Sequence, residues 1–93
     1  PTCRAYDPAY AYELAVIIEE GINAMYVRGE ECFYYLTVYN ESYDMPPMPG
    51  EHVREGIVRG LYPFKTVKPE KARHEVQILG SGVILNEALR AQQ

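Results

Sequence analysis

From Cys32 to Tyr39 the chain reads CFYYLTVY, and every residue of the run except Thr37 is apolar or aromatic. Clean polar alternation is missing, which is the pattern of a parallel strand covered on both faces. What precedes it fits a crossover helix. Asp7-Pro8 predicts a helix start, because aspartate can accept an orphan backbone N–H and proline fits the first helical position. The helix is expected from about Pro8 to about Val27. Ala11, Leu14, Ala15, Ile18, Ile22 and Met25 form its apolar stripe, which Val16 and Ile17 widen. Glu13, Glu19, Glu20 and Asn23 fill the polar positions. Gly21 costs about 1 kcal/mol against alanine in mid-helix and implies close packing against a neighbour. Arg28-Gly29 ends the helix, with glycine suited to a left-handed cap. Helix, short loop and buried strand are half of a parallel crossover unit. Its partner strand is expected upstream of Pro1, with Pro1 to Tyr6 as an incoming extended segment.

Beyond the strand, three prolines and a glycine between Met45 and Gly50 exclude regular structure. Glu51 to Arg59 is a short helix with Val53, Ile57 and Val58 on its apolar side and Gly60 closing it. Leu61 to Val67 reads as an edge strand, since Pro63 would interrupt a central ladder. A charged turn from Lys68 to His74 leads to a second buried strand, Val76 to Leu79. Gly80-Ser81-Gly82 then turns into a helix near Val83. The fold class is α/β, with a boundary near residues 68–74.

Composition removes several function classes. At 93 residues the chain is one domain at most, and a formal charge of −4 offers no basic face for nucleic acid. No run approaches the ~20 apolar residues of a membrane helix. Cys3 and Cys32 form no CxxC and no secretory segment is visible, so a reduced, cytoplasmic setting is the default. Nine tyrosines against two phenylalanines point to a partly polar interior or an interface, because each buried ring must still place a hydroxyl. The chain does not start with methionine and ends inside a helical pattern, as a piece of something longer would.

Chemistry-bearing residues gather after the strand. Glu41 or Asp44 could act as acid or base, and Asn40 could orient a substrate carbonyl; equally, these residues could cap loop backbone, as Asn, Asp and Ser routinely do. Asn40-Glu41-Ser42 fits the glycosylation pattern, which a cytoplasmic chain does not use. Gly80-Ser81-Gly82 could cradle a phosphate on exposed N–H groups, but it is shorter than the known fingerprints and reads better as a tight strand-to-helix turn. His52 and His74 sit in charged segments without metal-ligand spacing, and the two cysteines read as small buried apolar residues.

Three passages carry more specific information: Tyr6 to Ile18 (YDPAYAYELAVII), Phe33 to Tyr43 followed by Met45-Pro-Pro-Met-Pro49, and Glu55 to Tyr62 leading into Val76 to Gly82. In this order they resemble the homodimeric, bacterial type of the pyruvate dehydrogenase decarboxylating component, a family related to transketolase. The family commonly has asparagine where Ser42 stands, and a glutamate before the glycine where this chain runs from Pro49 to Gly50. The resemblance implies a fragment of a transketolase-like, thiamine-diphosphate-binding fold. Residues 1–67 would close the pyrimidine-binding domain and its linker, and residues 68–93 would open the C-terminal domain. It implies a parent that decarboxylates pyruvate on thiamine diphosphate and magnesium and acetylates the lipoyl group of a dihydrolipoyl acetyltransferase. Its cofactor would sit at a homodimer interface, with no catalytic, cofactor or metal residue in this fragment, which is expected to be inactive alone. Asn40, Glu41 and Tyr43 become candidates for the substrate-channel rim. Another transketolase-fold enzyme and a free-standing α/β interaction module are the alternatives.

Overall fold

The extended stretch before Asp7 is a strand in its own right. In the computed structural model, which describes residues 2–71 and 73–93, β1 (Cys3–Tyr6) runs parallel to β2 (Phe33–Leu36). Cys3 lies beside Phe33 and Tyr6 beside Leu36. The partner expected upstream of Pro1 is therefore inside the chain. Four residues reading Cys-Arg-Ala-Tyr have no β-rich run to announce them; the ladder to β2 makes them a strand, since β-propensity is largely a matter of neighbours. Pro1 and Ala72, the latter inside the expected charged turn, lie outside the described residues.

The connection between the strands is α1 (Ala11–Ile22), extended by a π-helical turn over Asn23–Val27. The predicted end near Val27 thus stands, and Gly29 closes it at φ +68° as a left-handed cap. The predicted start does not. Tyr10 occupies the cap position with extended backbone and no side-chain cap, and Asp7 lies outside the helix. Glu13, in the third helical position, reaches back to accept the Ala9 N–H at 2.8 Å. The bond resembles that of a capping-box glutamate but falls on the residue before the cap, so the start of the helix is fastened from within it.

The face that α1 buries also differs from expectation. Val16, Ile17, Gly21 and Ala24 are buried together with Glu13, whereas Ala11, Ala15, Ile18 and Ile22 look outward, Ile22 at 51% exposure. The helix is apolar on two sides, so periodicity alone has no basis for choosing between them. The buried side contains Gly21, where the Tyr34 ring of β2 approaches. A Cβ on Gly21 would sit 3.5 Å from that ring, an ordinary van der Waals distance. Gly21→Ala is therefore expected to stabilise α1 by up to about 1 kcal/mol, the helix-propensity gain. Slower hydrogen exchange of the α1 amides would show it; faster exchange would mean that Tyr34 cannot accept the methyl group.

A 3-10 turn at Glu51–Val53 leads into α2 (Arg54–Arg59), closed by Gly60 at φ +96°, as the sequence predicts. Val53 and Ile57 meet Val16 and Ile17 of α1 in the core, with Tyr6, Tyr34 and Leu36 packed against them from one face of the sheet. Tyr6 also donates its hydroxyl to the Val58 carbonyl. The opposite sheet face is open: Phe33 and Tyr35 are mostly exposed, as is Cys3. Cover on both faces of β2 is thus met on one face only by the described residues. For the same reason Cys3 is not the buried residue expected, and Cys32, just before the strand, is half-buried.

The two strands predicted after α2 do not form. Leu61 to Val67 and Val76 to Leu79 have no regular structure, and Val76 is 81% exposed. Both have extended-chain composition, but an extended segment becomes a strand only with a ladder partner, and among the described residues neither finds one. The turn at Gly80–Gly82 does lead into a helix, α3 (Ile84–Gln92), with Gly82 at φ +54°. The radius of gyration is 15.4 Å, against about 12 Å for a compact domain of this length. The compact part is the β1–α1–β2 unit with α2.

Candidate functional site

The carboxyl ends of β1 and β2 lie side by side, and in parallel α/β sheets this edge is where ligand-facing groups collect. Asp7 directly follows β1. Its Oδ1 accepts the hydroxyls of Thr37 and, at 2.6 Å, Tyr39, both from the segment that follows β2. The Gly82 N–H donates to the Asp7 backbone carbonyl at 3.1 Å. Burial alone would raise the Asp7 pKa, but hydrogen bonds from Thr37, Tyr39 and Ser81 outweigh it and hold the carboxyl below its ordinary value of 3.8. The Tyr39 phenol is pushed up, first by its bond to Asp7. Because the folded-state value is depressed, the contribution of these contacts is complete above pH 3.8 and is lost as pH falls through the lower folded value. A carbon-13 titration of the Asp7 carboxyl is expected to show its midpoint below 3.8. A midpoint at or above that value would contradict the arrangement.

A second carboxylate lies at the start of α1. Glu13 is 8% exposed, and besides the Ala9 N–H it accepts the Tyr62 hydroxyl at 2.6 Å. Tyr12 and Tyr62 are joined at 2.6 Å, and with the Tyr62 proton committed to Glu13, Tyr12 is the donor of that pair. Burial, then the bonds to Glu13 and Tyr12, push the Tyr62 phenol far above the ordinary tyrosine range. The effect of this relay is to tie the segment after α2 to the first turn of α1. Tyr10 extends the same cluster, packing on Phe64 and donating to the Asn86 side-chain oxygen at 3.0 Å. The tyrosine excess is thus a partly polar interior.

Of the rim candidates, Asn40 and Glu41 are exposed in the loop beyond β2. Tyr43 is half-buried, donates to the Ala9 carbonyl and sets its ring edge-on to Tyr10. The structure therefore brings Tyr43 back to the start of α1 and leaves Asn40 and Glu41 in solvent. A groove of about 950 Å³ runs between residues 61–69, residues 73–82 and α3, with Asp7 and Glu13 at its inner end; the three rim candidates do not line it. Asp7 and Glu13 were both missed as site residues, one read as a helix cap and the other as one of the helix's polar positions. For Glu13 a signal existed: a glutamate in the third helical position is the reciprocal half of a capping box. For Asp7 none did, since its partners are 30 or more residues away.

Two parallel strands joined by a helix, with polar groups gathered at their carboxyl edge, define a parallel α/β element. Residues 1–46 match the family described as "Pyruvate dehydrogenase E1 component middle domain". The whole-chain relatives agree. The chain is 53% identical over 91 residues to the pyruvate dehydrogenase E1 component of Pseudomonas aeruginosa, covering 98% of this chain and 10% of that protein. It is 48% identical over 94 residues to the Haemophilus influenzae protein of the same name and 47% identical over 94 to that of Escherichia coli, each match covering all of this chain and 10% of the relative. The chain belongs to the pyruvate dehydrogenase E1 component family. It spans about a tenth of the length of the curated relatives it matches.

Proposed function

We propose that this chain is a structural segment of a thiamine-diphosphate-dependent pyruvate dehydrogenase E1 component of the transketolase-like fold. The parent would decarboxylate pyruvate and pass the acetyl group to the lipoyl group of a dihydrolipoyl acetyltransferase. It would act as a cytoplasmic homodimer; the described residues contain no helix long and apolar enough to cross a membrane. The observation that carries the reading is identity of 44–53% to proteins of that name over essentially the whole chain. Residues 1–67 would close the pyrimidine-binding domain and residues 68–93 would open the next one. Asn40, Glu41 and Tyr43 would stand at the rim of the substrate channel.

The residues present do not fit the cofactor. Among the described residues no three His, Cys, Asp or Glu side chains are grouped to hold magnesium. At the Gly80–Gly82 turn the Gly82 N–H is already bonded to Asp7, and a carboxylate stands where a diphosphate would have to come. The segment's own contribution is to shape the strand edge and to bring Tyr43 and the segment after α2 against α1.

The test is expression of the longest natural chain carrying this sequence, supplied with thiamine diphosphate and magnesium. Pyruvate-dependent carbon dioxide release and lipoyl acetylation are expected. Absence of both from a folded, cofactor-loaded protein would overturn the reading. Calorimetry on these 93 residues alone is expected to detect no thiamine diphosphate binding, and micromolar affinity there would refute the assignment of the cofactor site to other residues.

A further inference from the structure

We infer that Asp7 is a latch: one residue that fastens the turn before α3 to the carboxyl edge of the sheet, so that the rim and the segment after residue 80 move together. Three separate stretches meet on it. From the end of β2 come the Thr37 and Tyr39 hydroxyls, both on Oδ1. From the Gly-Ser-Gly turn comes the Gly82 N–H to the backbone carbonyl, 3.1 Å away, with the Asp7 carboxylate packed directly against the same glycine. β1 supplies Asp7 itself and so anchors the latch in the parallel ladder.

The fit around Gly82 shows how close the approach is. A Cβ on that residue would fall 2.8 Å from both Asp7 carboxylate oxygens and closer still to the Tyr39 hydroxyl. At φ +54° the backbone is also in the left-handed region that favours glycine. Glycine is needed there twice over, for its backbone conformation and for the space that the carboxylate and phenol occupy. The latch is a polar tie between the turn and the sheet edge, and among the described residues the stretch from Leu61 to Leu79 that leads to the turn has no ladder of its own. Because Thr37 and Tyr39 directly precede Asn40 and Glu41, opening the latch would loosen the segment after β2 and the turn before α3 at once, leaving the Tyr43–Ala9 and Tyr10–Asn86 contacts to hold what lies beyond. The inference stands whether or not the parent is a pyruvate dehydrogenase, because it concerns contacts wholly within this chain.

Hydrogen exchange of the longest natural chain carrying this sequence tests it, read by mass spectrometry on peptides covering residues 37–44, 80–92 and 11–22. Asp7→Asn preserves size while weakening the Thr37 and Tyr39 contacts to the side chain, and Gly82→Ala forces the carboxylate and phenol away. Each is expected to speed exchange in 37–44 and 80–92 together by about tenfold, with 11–22 unchanged. The double variant is expected to be no faster than the faster single one, because both open the same contact. Unchanged exchange, acceleration of only one of the two peptides, additive effects, or equal acceleration of 11–22 would each overturn the latch. So would free-peptide exchange of 80–92 in the unsubstituted protein. Tyr39→Phe, which removes a single hydroxyl from a largely exposed ring, is expected to give a smaller acceleration of the same two peptides; acceleration of 11–22 in its place would count against the proposal.

Discussion

Glu13→Leu is expected to destabilise the first turn of α1 by about 3 kcal/mol, the larger of the two strongest effects foreseen in this chain. Leucine keeps most of the volume but removes both acceptor oxygens. The Ala9 N–H, bonded at 2.8 Å, and the Tyr62 hydroxyl, bonded at 2.6 Å, are then left without their partner. A buried donor so orphaned costs roughly 1–3 kcal/mol. Ala9 is 5% exposed, so water cannot readily replace the lost acceptor at the backbone; Tyr62 is less deeply placed and recovers part of its loss. At 1.4 kcal/mol per factor of ten, exchange of the amides at the start of α1 should rise about a hundredfold. Glu13→Gln retains one of the two acceptor oxygens in use and is expected to cost roughly 1–2 kcal/mol, less than leucine because one donor keeps its partner. If leucine and glutamine behave alike, the carboxylate is not the group that holds this corner.

The same corner shows where sequence and fold part company. The local signals were sound. The apolar run around Phe33 to Leu36 is a parallel strand, and the stretch ahead of it is a helix ending at Gly29. Glu51 to Arg59 is a short helix capped by Gly60, and Gly80–Gly82 turns into α3. Each of these depends on periodicity or on glycine chemistry within a few residues. What was not legible depends on partners far along the chain. β1 exists because β2 pairs with it, and its four residues carry no signal of their own. The buried side of α1 was chosen by Tyr34, Val53 and Ile57, so the more apolar stripe through Ala11, Ala15, Ile18 and Ile22 faces out. Leu61 to Val67 and Val76 to Leu79 have strand composition but, among the described residues, no neighbour to pair with. The family was legible because identity over three passages does not require knowing which face packs. The two carboxylate junctions were not, since an aspartate before a proline reads as a cap and a glutamate on a helix reads as one of its polar positions.

Gly56→Ala is the second large effect, and it acts through Tyr62 as Glu13→Leu does. On helical grounds alone the change should help by about 1 kcal/mol. The surroundings reverse the sign. A Cβ on Gly56 would lie 2.5 Å from the Tyr62 Cβ and 3.2 Å from the Leu61 carbonyl oxygen, and these are the stiff base of a side chain and backbone, not a flexible tip. The Leu61 N–H is itself bonded to the Gly56 carbonyl at 3.0 Å, so the chain cannot swing clear without breaking the close of α2. Overpacking of this kind typically costs 1–3 kcal/mol. Moving Tyr62 also draws its hydroxyl away from Glu13 and Tyr12. A net loss of about 2 kcal/mol is expected, seen as roughly thirtyfold faster exchange in α2 and at the start of α1 together. Pairing the substitution with Tyr62→Gly, which removes the clashing Cβ, should recover much of the loss relative to Tyr62→Gly alone, because the clash and the relay end on the same side chain. If Gly56→Ala costs as much without the Tyr62 side chain as with it, the strain lies in the Leu61 backbone and the link between α2 and α1 does not run through Tyr62.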